Sequence, residues 1–482
     1  MIAPETTYWD IVKTQYAKNR PAVWALRLLA GLFLLAIIAP VLCTSTPFYV
    51  TVADGSPYEG LDTFPWFAAL FDQNRFPSGV DLFFNLLLVF LIPGVVLWML
   101  TRGKVRRHVF TALAVVFVLV FLQIVIPGRW FHYSKPKIDY LELRGPHLDT
   151  VLAEEKIEIF SGNLEEAVAA LAVADARLAE ADLPAEERSE TEADRMAAAD
   201  RKATAELALR KWKGKLEKAA KKAKDKKQAY TILLPPVGYH HDDNDEDRVV
   251  DPPTLRGGWG TWHILGTDRN GRDVLARVLY GTRVSLTIGV VAVSIYCTIG
   301  AILGALMGFF GGWVDILLMR LVEIMICFPA FMFILILVAV TGTNSIFMIM
   351  FAIGMIGWTG AARLIRGQFL SERNLDYVVA AQALGISKRR IAFKHILPNA
   401  IHPIFVTATF GVAAAILLES GLAFLGLGDP NVPSWGQILL QGRETKEIWL
   451  IHSPGFAIFF TVTILNVVGE GLRDALDPKL RQ

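Results

Sequence analysis

The stretch DYVVAAQALGISKRRIAFKHILPN, Asp376 to Asn399, is a polar, basic helix-turn-helix pattern between two strongly apolar runs, one ending near Arg366 and the next beginning near Ile401. Runs of that length and composition read as membrane spans, so the stretch between them is a loop at a membrane surface. Asn374 or Asp376 is placed to N-cap a first helix, Gly385 supplies a permissive backbone for its C-terminal turn, and Ser387 is placed to cap a second helix that runs until Pro398. The small residues Ala380, Ala381 and Ala383 allow close backbone approach, while Lys388, Arg389, Arg390 and Lys394 present charge. That combination suits insertion into a partner's groove.

Outward from this loop the chain is a polytopic membrane protein. Its 482 residues are 53% hydrophobic with a mean hydropathy of +0.42, above the roughly 45–50% apolar content of ordinary soluble chains. Stretches of roughly 20 mostly apolar residues fall at about 24–43, 82–101, 108–127, 284–309, 315–340, 344–365, 401–424 and 452–472. The basic segments are the N-terminus with Lys13, Lys18 and Arg20, the turn with Arg102, Lys104, Arg106 and Arg107, the loop from Arg363 to Lys394, and the tail with Arg473, Lys479 and Arg481. With eight spans all four lie on one side, which the bias of Lys and Arg makes the cytoplasm, with both termini inside. No small-x-small cleavage site follows the first span, so it is expected to be an uncleaved anchor. Cys43, Cys297 and Cys327 have no metal or redox spacing.

Between the first and fourth spans the chain departs from a compact design. Residues 44–127 form an outside loop, with turn signals at Gly55, Pro57, Gly60 and Pro65, and two additional spans. Residues 128–265 form a long outside insertion. From Glu154 to Asp200 it holds fourteen acids and four bases, and from Arg201 to Lys227 twelve bases and three acids. Leu164, Val168, Leu171, Ala174 and Leu178 recur at helical spacing, Pro184 breaks the run, and a second helix starts near Glu186. The expectation is an antiparallel helical hairpin over about 150–229, its opposite charges attracting, accessory to the membrane core. Its outside placement argues against nucleic acid for the Lys-rich half. His240, His241, Asp242, Asp243 and Asp245 could hold a divalent cation, but adjacent residues seldom face one point, and a solvated loop without metal is the expectation.

The stretch GTDRNGRDVLARVLYGTRVSLTIG, Gly266 to Gly289, is superficially like a phosphate loop, but Arg272-Asp273 replaces the Lys-Ser/Thr that phosphate binding requires. It reads as a turn followed by an amphipathic helix at the membrane interface, with Val274, Leu275, Val278 and Leu279 inward and Arg272, Arg277 and Arg283 outward. Within the later spans, Arg320 and Glu323 can pair at i, i+3, Glu419 and Glu470 sit near span ends open to solvation or partners, and Gly300, Gly304 and Gly308 offer a smooth packing face. No chain of intramembrane acids of the kind proton-coupled carriers use is present.

Four motifs in order resemble one family. Ala380-Ala381, Gly385, Ser387 and Leu397-Pro398 resemble the cytoplasmic EAA loop of ABC importer permeases, although Val379 stands where that pattern usually has Glu. Gly266, Thr267, Asp268, Gly271, Arg272, Asp273, Arg277, Tyr280, Gly281 and Arg283 resemble the opening of the core of oligopeptide, dipeptide and nickel-type permeases. Ala423 to Trp435 resembles their outer loop and Gly471 to Lys479 their C-terminal tail, while Thr46 to Tyr58 is faintly similar to the Yej-type peptide importers.

The resemblance covers about 266–482 plus the first span, 1–43. It implies an all-α fold of about eight transmembrane helices with a type I ABC importer permease core in a bacterial inner membrane. It further implies a non-enzymatic transport subunit that pairs with a second, identical or different permease. Two ATPases would bind at 367–400, and an extracytoplasmic solute-binding protein would deliver substrate. No cofactor would be held by this chain, ATP and Mg²⁺ being used by the partners. Peptides are the expected substrate, with nickel chelates or another small solute as the alternative, and a membrane tether built on the charged hairpin as the reading from another class.

Overall fold

The computed structural model describes residues 8–52, 64–72, 75–76, 78–125, 140–180, 184–227, 230–255, 260–342 and 344–476. The turn residues Gly55, Pro57 and Gly60 and the tail residues Lys479 and Arg481 lie outside them. In chain order the helices begin with α1 (Tyr8–Lys18), α2 (Arg20–Leu42), α3 (Pro65–Ala69), α4 (Gly79–Leu100) and α5 (Gly103–Val125). The insertion forms α6 (Tyr140–Leu178) and α7 (Ala185–Lys227). The core comprises α8 (Val274–Phe310), α9 (Gly312–Cys327), α10 (Ala330–Thr341) and α11 (Ile346–Glu372). After α12 (Asp376–Ala383), α13 (Lys388–Arg390) and α14 (Leu397–Ala400) come α15 (His402–Phe424), α16 (Trp435–Thr445) and α17 (Ile448–Leu476).

Among the described residues seven helices, α2, α4, α5, α8, α11, α15 and α17, are long and apolar enough to cross a bilayer, and α9 with α10 makes an eighth only as a pair bent by 83°. The apolar stretch 315–340 is a bent helix pair and not one continuous helix. Pro329 forces Phe328 into an extended conformation (φ −84°, ψ 122°), so the helix stops at Cys327 and restarts at Ala330 in a new direction.

The core is organised on α8 and α11, whose backbones meet at glycines. A Cβ on Gly300 would lie 2.5 Å from Ala361 Cβ, one on Gly304 2.5 Å from Ala362 O, and one on Gly308 2.4 Å from Phe369 Cβ. Spacing by four keeps all three on one helix face, so the two helices approach as closely as small-residue seams in membranes permit. Trp358, Ile365, Phe369, Met307 and Val322 are buried along this seam.

The two additional spans attach unequally. α4 is N-capped by Ser78, whose Oγ accepts from Val80 N at 3.0 Å, and packs Val80 and Phe84 into the core beside Ala36 of α2 and Leu286 of α8. No residue in the apolar window of α5 is buried. Its contact is with α4, through Phe117 and Phe121 stacked edge-on against Phe83 and Phe90. Strands β1 (Tyr49–Val52) and β2 (Tyr230–Leu233) pair antiparallel with Tyr49 opposite Leu233, so the chain leaves and re-joins the core at one place.

Helices α6 and α7 form the expected antiparallel hairpin. Its seam is Leu164, Ala167, Leu171, Ala174 and Leu178, with Val168 turned out to solvent. The expected attraction of opposite halves is only partly realised, because antiparallel pairing sets the acidic start of α7 beside the acidic second half of α6, where Arg195–Asp175 (2.5 Å) bridges the helices. The base of the hairpin is clamped to the loop before the core. Lys156 pairs with Asp251 at 2.5 Å, Glu155 with the fully buried Arg248 at 3.1 Å, and Lys215 with Asp247 at 2.7 Å. The hairpin is therefore bonded to the segment that leads into α8, a closer tie than an accessory module requires.

Candidate functional site

Two of the sequence motifs become three-dimensional sites at opposite ends of α8 and α11. The first is the loop that follows α11. Leu375 takes the N-cap position of α12, and neither Asn374 nor Asp376 caps it; Asp376 sits in the first turn, where its charge favours the helix N-terminus. The helix ends as the sequence anticipated. Gly385 has φ +70°, and the amides of Ile386 and Gly385 donate to Ala381 O (3.1 Å) and Gln382 O (3.0 Å), the paired bonds of a Schellman turn. Ser387 holds the N-cap position of α13 without a side-chain bond.

The second helix does not stop at Pro398. Residues Ile391–Ile396 widen into a π-helical turn, in which Leu397 N donates to Ala392 O, and the chain continues as α14 with Pro398 in its first turn. The widening is how the helix passes a proline that has no N–H to give.

Val378, Ala381, Ile391, Ala392 and Ile396 bury themselves against the α8–α11 seam, so Ala381 is used internally and is not free for a partner. Ala380, Ala383, Gly385, Ser387, Lys388, Arg389, Arg390 and Pro398 are exposed, and Leu397 is half-buried. Beside them stands Val379, the departure from the EAA pattern, with two residues that the sequence reading does not include, Leu384 (79% exposed) and Phe393 (64%). Apolar side chains in an otherwise polar loop were the available signal. The face is thus an apolar patch rimmed by four cations. It is held to the membrane helices by Tyr377 Oη donating to Glu372 (2.6 Å) and by the bidentate Arg366–Asp315 pair (2.5 and 2.7 Å) that joins α11 to α9.

The second site is the motif 266–283, and here the structure reverses the sequence reading. α8 starts at Val274 and runs unbroken into the span, and Arg277 and Arg283 point inward, 2% and 0% exposed. Gly266 (φ +73°) and Gly271 (φ +72°) shape the turn; a Cβ on Gly271 would lie 1.8 Å from Asp245 O. Asp268 organises it, accepting from Asn270 N (2.8 Å), Arg272 N (3.0 Å) and Arg272 Nε (2.8 Å), with Arg277 Nε at 3.4 Å. Thr267 N donates to Asp251 O and its hydroxyl to Arg248 O. Asp273 caps α8 through Ala276 N (2.7 Å) and also meets His263 Nδ1 (2.8 Å). Tyr280 donates to Cys43 O (3.0 Å), and Gly281 leaves room for Trp435, whose Nε1 donates to Val278 O.

Arg283 lies deepest. It donates to Asp81 (3.3 Å) and Asn85 (2.9 Å) of α4 and to Ala36 O (2.6 Å) and Ile37 O (3.3 Å) of α2, under the faces of Phe84 and Tyr280. Pro40 explains the carbonyl: lacking an N–H, it leaves Ala36 O without its helical partner, and Arg283 supplies the donor. A buried guanidinium is tolerable when its donors are matched in this way.

In the loop His240-His241-Asp242 the two imidazoles are packed, not solvated, at 2% and 1% exposed, while Asp242 stands at the surface. Their ring nitrogens and a carboxylate oxygen of Asp242 lie within 4.8 Å of one another, and both Nε2 atoms lack a partner. Arg75 and Arg283 face His240 and Arg277 faces Asp242, a positive surround unfavourable to a cation. Burial, then the neighbouring His241 and the guanidiniums of Arg75 and Arg283, hold His240 neutral well below the usual imidazole range. The unfolded chain binds a proton below about pH 6.5 that the folded loop refuses, so stability is full above that pH and falls beneath it by up to about 1.4 kcal/mol per unit. Melting of the detergent-purified chain from pH 8 to 5 should show this slope, and His240→Gln should flatten it; an unchanged slope in the variant would assign it to other groups.

Compared with known proteins, residues 300–482 match the family model for the binding-protein-dependent transport system inner membrane component. The chain is similar to the oligopeptide transport system permease protein OppC of Haemophilus influenzae, 43% identical over 50% of this chain and 78% of that protein. It is also similar to the dipeptide transport system permease protein DppC of Alkalihalophilus pseudofirmus, 40% identical over 45% and 73%, and to OppC of Escherichia coli, 41% identical over 52% and 83%. Among solved structures, a chain of the MetNI methionine ABC transporter in inward-facing conformations matches 42% of this chain and 97% of its own length, at 16% identity and a TM-score of 0.36.

Proposed function

Since the chain belongs to the family of binding-protein-dependent transport inner membrane components, the permease subunits of ABC importers, we propose that it carries peptides and is driven through the loop 376–399. The relatives named for oligopeptide and dipeptide transport support the substrate class. In this reading a second permease completes the path, two ATPases seat on the loop and use ATP and Mg²⁺, and a solute-binding protein delivers substrate at the opposite side. The loop side, with both termini, faces the cytoplasm.

The observation that carries the coupling role is the apolar-and-basic face itself. Leu384 and Phe393 are exposed on an element whose other side is built into the α8–α11 seam. A partner that grips this face moves the seam with it, because close-packed backbones transmit displacement instead of absorbing it. The cations at Lys388, Arg389, Arg390 and Lys394 steer an acidic groove, and the apolar pair supplies the desolvated centre where binding energy concentrates.

Gly385→Val tests the assignment. Nothing lies within 4 Å of a Cβ there, so the substitution adds only the left-handed strain, about 1–2 kcal/mol. That should re-aim α12 against α13 while leaving the spans inserted, lowering substrate-stimulated ATPase activity of the purified complex roughly 5- to 30-fold. Reversing Arg389 and Arg390 to Glu should act in the same direction. Full stimulation in both variants would remove the docking assignment.

A further inference from the structure

We propose that the groove between α4 and α5 holds an acyl chain of an anionic phospholipid whose phosphate is gripped by Arg102, Arg106 and Arg107. The two helices pack ring against ring away from their connecting turn. There Phe117 packs edge-on against Phe83 and Phe90 at ring separations of 5.5 and 5.4 Å. Toward the connecting turn they part around a groove of about 510 Å³, bordered by Ile37, Leu91, Trp98, Phe110, Leu113 and Phe117. Gly94 lines it without a side chain, facing Leu113 across the groove.

The mouth of this groove is basic. Trp98 lines the groove and carries Arg106 on its ring at 4.8 Å, so the guanidinium stands at the rim. Arg106 Nε is turned to Thr101 O (2.9 Å), and Arg102 and Arg107 are exposed beside it. From Leu82 to Val125 the sequence has no acid, and no ion pair joins these arginines to any described residue. A long apolar slot ending in several uncompensated cations, at the level where a span meets the headgroups, is complementary to a phospholipid with a net negative charge. It also accounts for α5, which has no buried residue in its apolar window and would be held by lipid where protein does not reach.

The test uses the full chain, delipidated in detergent and exposed to equal mole fractions of phosphatidylglycerol and phosphatidylcholine with matched chains, followed by native mass spectrometry of retained lipid. Wild type should retain phosphatidylglycerol preferentially. Arg102→Gln with Arg107→Gln, both at the surface and remote from the core, should lower that preference by about fivefold per cation removed. Ala114→Trp, which fills the slot from α5, should abolish retention of both lipids.

Four results would overturn the proposal: equal retention of the two lipids by wild type, an undiminished preference in the double Gln variant, displacement of the bound lipid by excess glycerol 3-phosphate, or Ala114→Trp weakening association with another permease copy at unchanged lipid retention. The third would assign a phosphate site without an acyl chain, and the fourth a helix–helix interface.

Discussion

Asp81→Ala should cost the detergent-purified chain about 3–5 kcal/mol, the usual consequence of removing one partner from a buried ion pair. Arg283 is fully buried, and Asp81 is the one carboxylate bonded to it among the described residues; without it a positive charge stays in an apolar setting with Asn85 and two carbonyls. The loss should be local first, with α4 leaving α8 and taking α5 along. Replacing both partners, Asp81→Leu with Arg283→Met, should recover part of the stability, because desolvation of the unpaired charge dominates the single variant. Chemical denaturation followed by tryptophan fluorescence reads the difference. A loss below about 1 kcal/mol for Asp81→Ala, the range of surface pairs, would show that the pair is solvated in the membrane.

Gly304→Val should be the other severe substitution. Its Cβ would fall 2.5 Å from Ala362 O and 2.8 Å from Ile365 Cβ, both on α11, so the two helices must separate. Overpacking typically costs about 1–3 kcal/mol, and more where the obstruction is backbone. Separation at this level also loosens the seat of the loop after α11, so transport should fall with stability. Gly360→Ala is the contrasting case: nothing lies within 4 Å of its Cβ, and helix propensity alone predicts a gain of about 0.5–1 kcal/mol. Thermal melts of the two variants against wild type separate contact from propensity. Equal, small effects would mean the seam is not close-packed.

What could be read from the sequence was local. Gly385 at the end of a short helix and glycines spaced by four in a span each imply their structure within one or two turns, and both are found. The orientation of Arg277 and Arg283 was not local. Val274, Leu275, Val278 and Leu279 suggested one apolar face, yet this helix is buried on several sides, and the groups that satisfy Arg283 lie 202 and 247 residues away. Two features did carry signals. Pro40 inside an apolar span announces an unpaired carbonyl at Ala36, and Pro329 announces a break between α9 and α10. Leu384 and Phe393 stand as single apolar residues in a basic loop, and nothing in their local spacing says that they face solvent and not the seam. The packed His240-His241 loop could not be foreseen, since its walls come from Arg75, Arg277, Tyr280 and Arg283.

The pairing of α4 with α8 also sets a schedule for making the protein. Asp81 emerges from the ribosome 202 residues before Arg283, and at 5–20 residues per second about 10–40 s pass between them. During that interval α4 and α5 are in or at the bilayer with a carboxylate whose counter-charge has not been synthesised, and the whole charged hairpin, α6 and α7, must be made before it arrives. The first spans should therefore wait at the insertion machinery as an unfinished half until α8 docks. Nascent chains stalled before residue 283 should remain bound to that machinery, while chains stalled well after it should not.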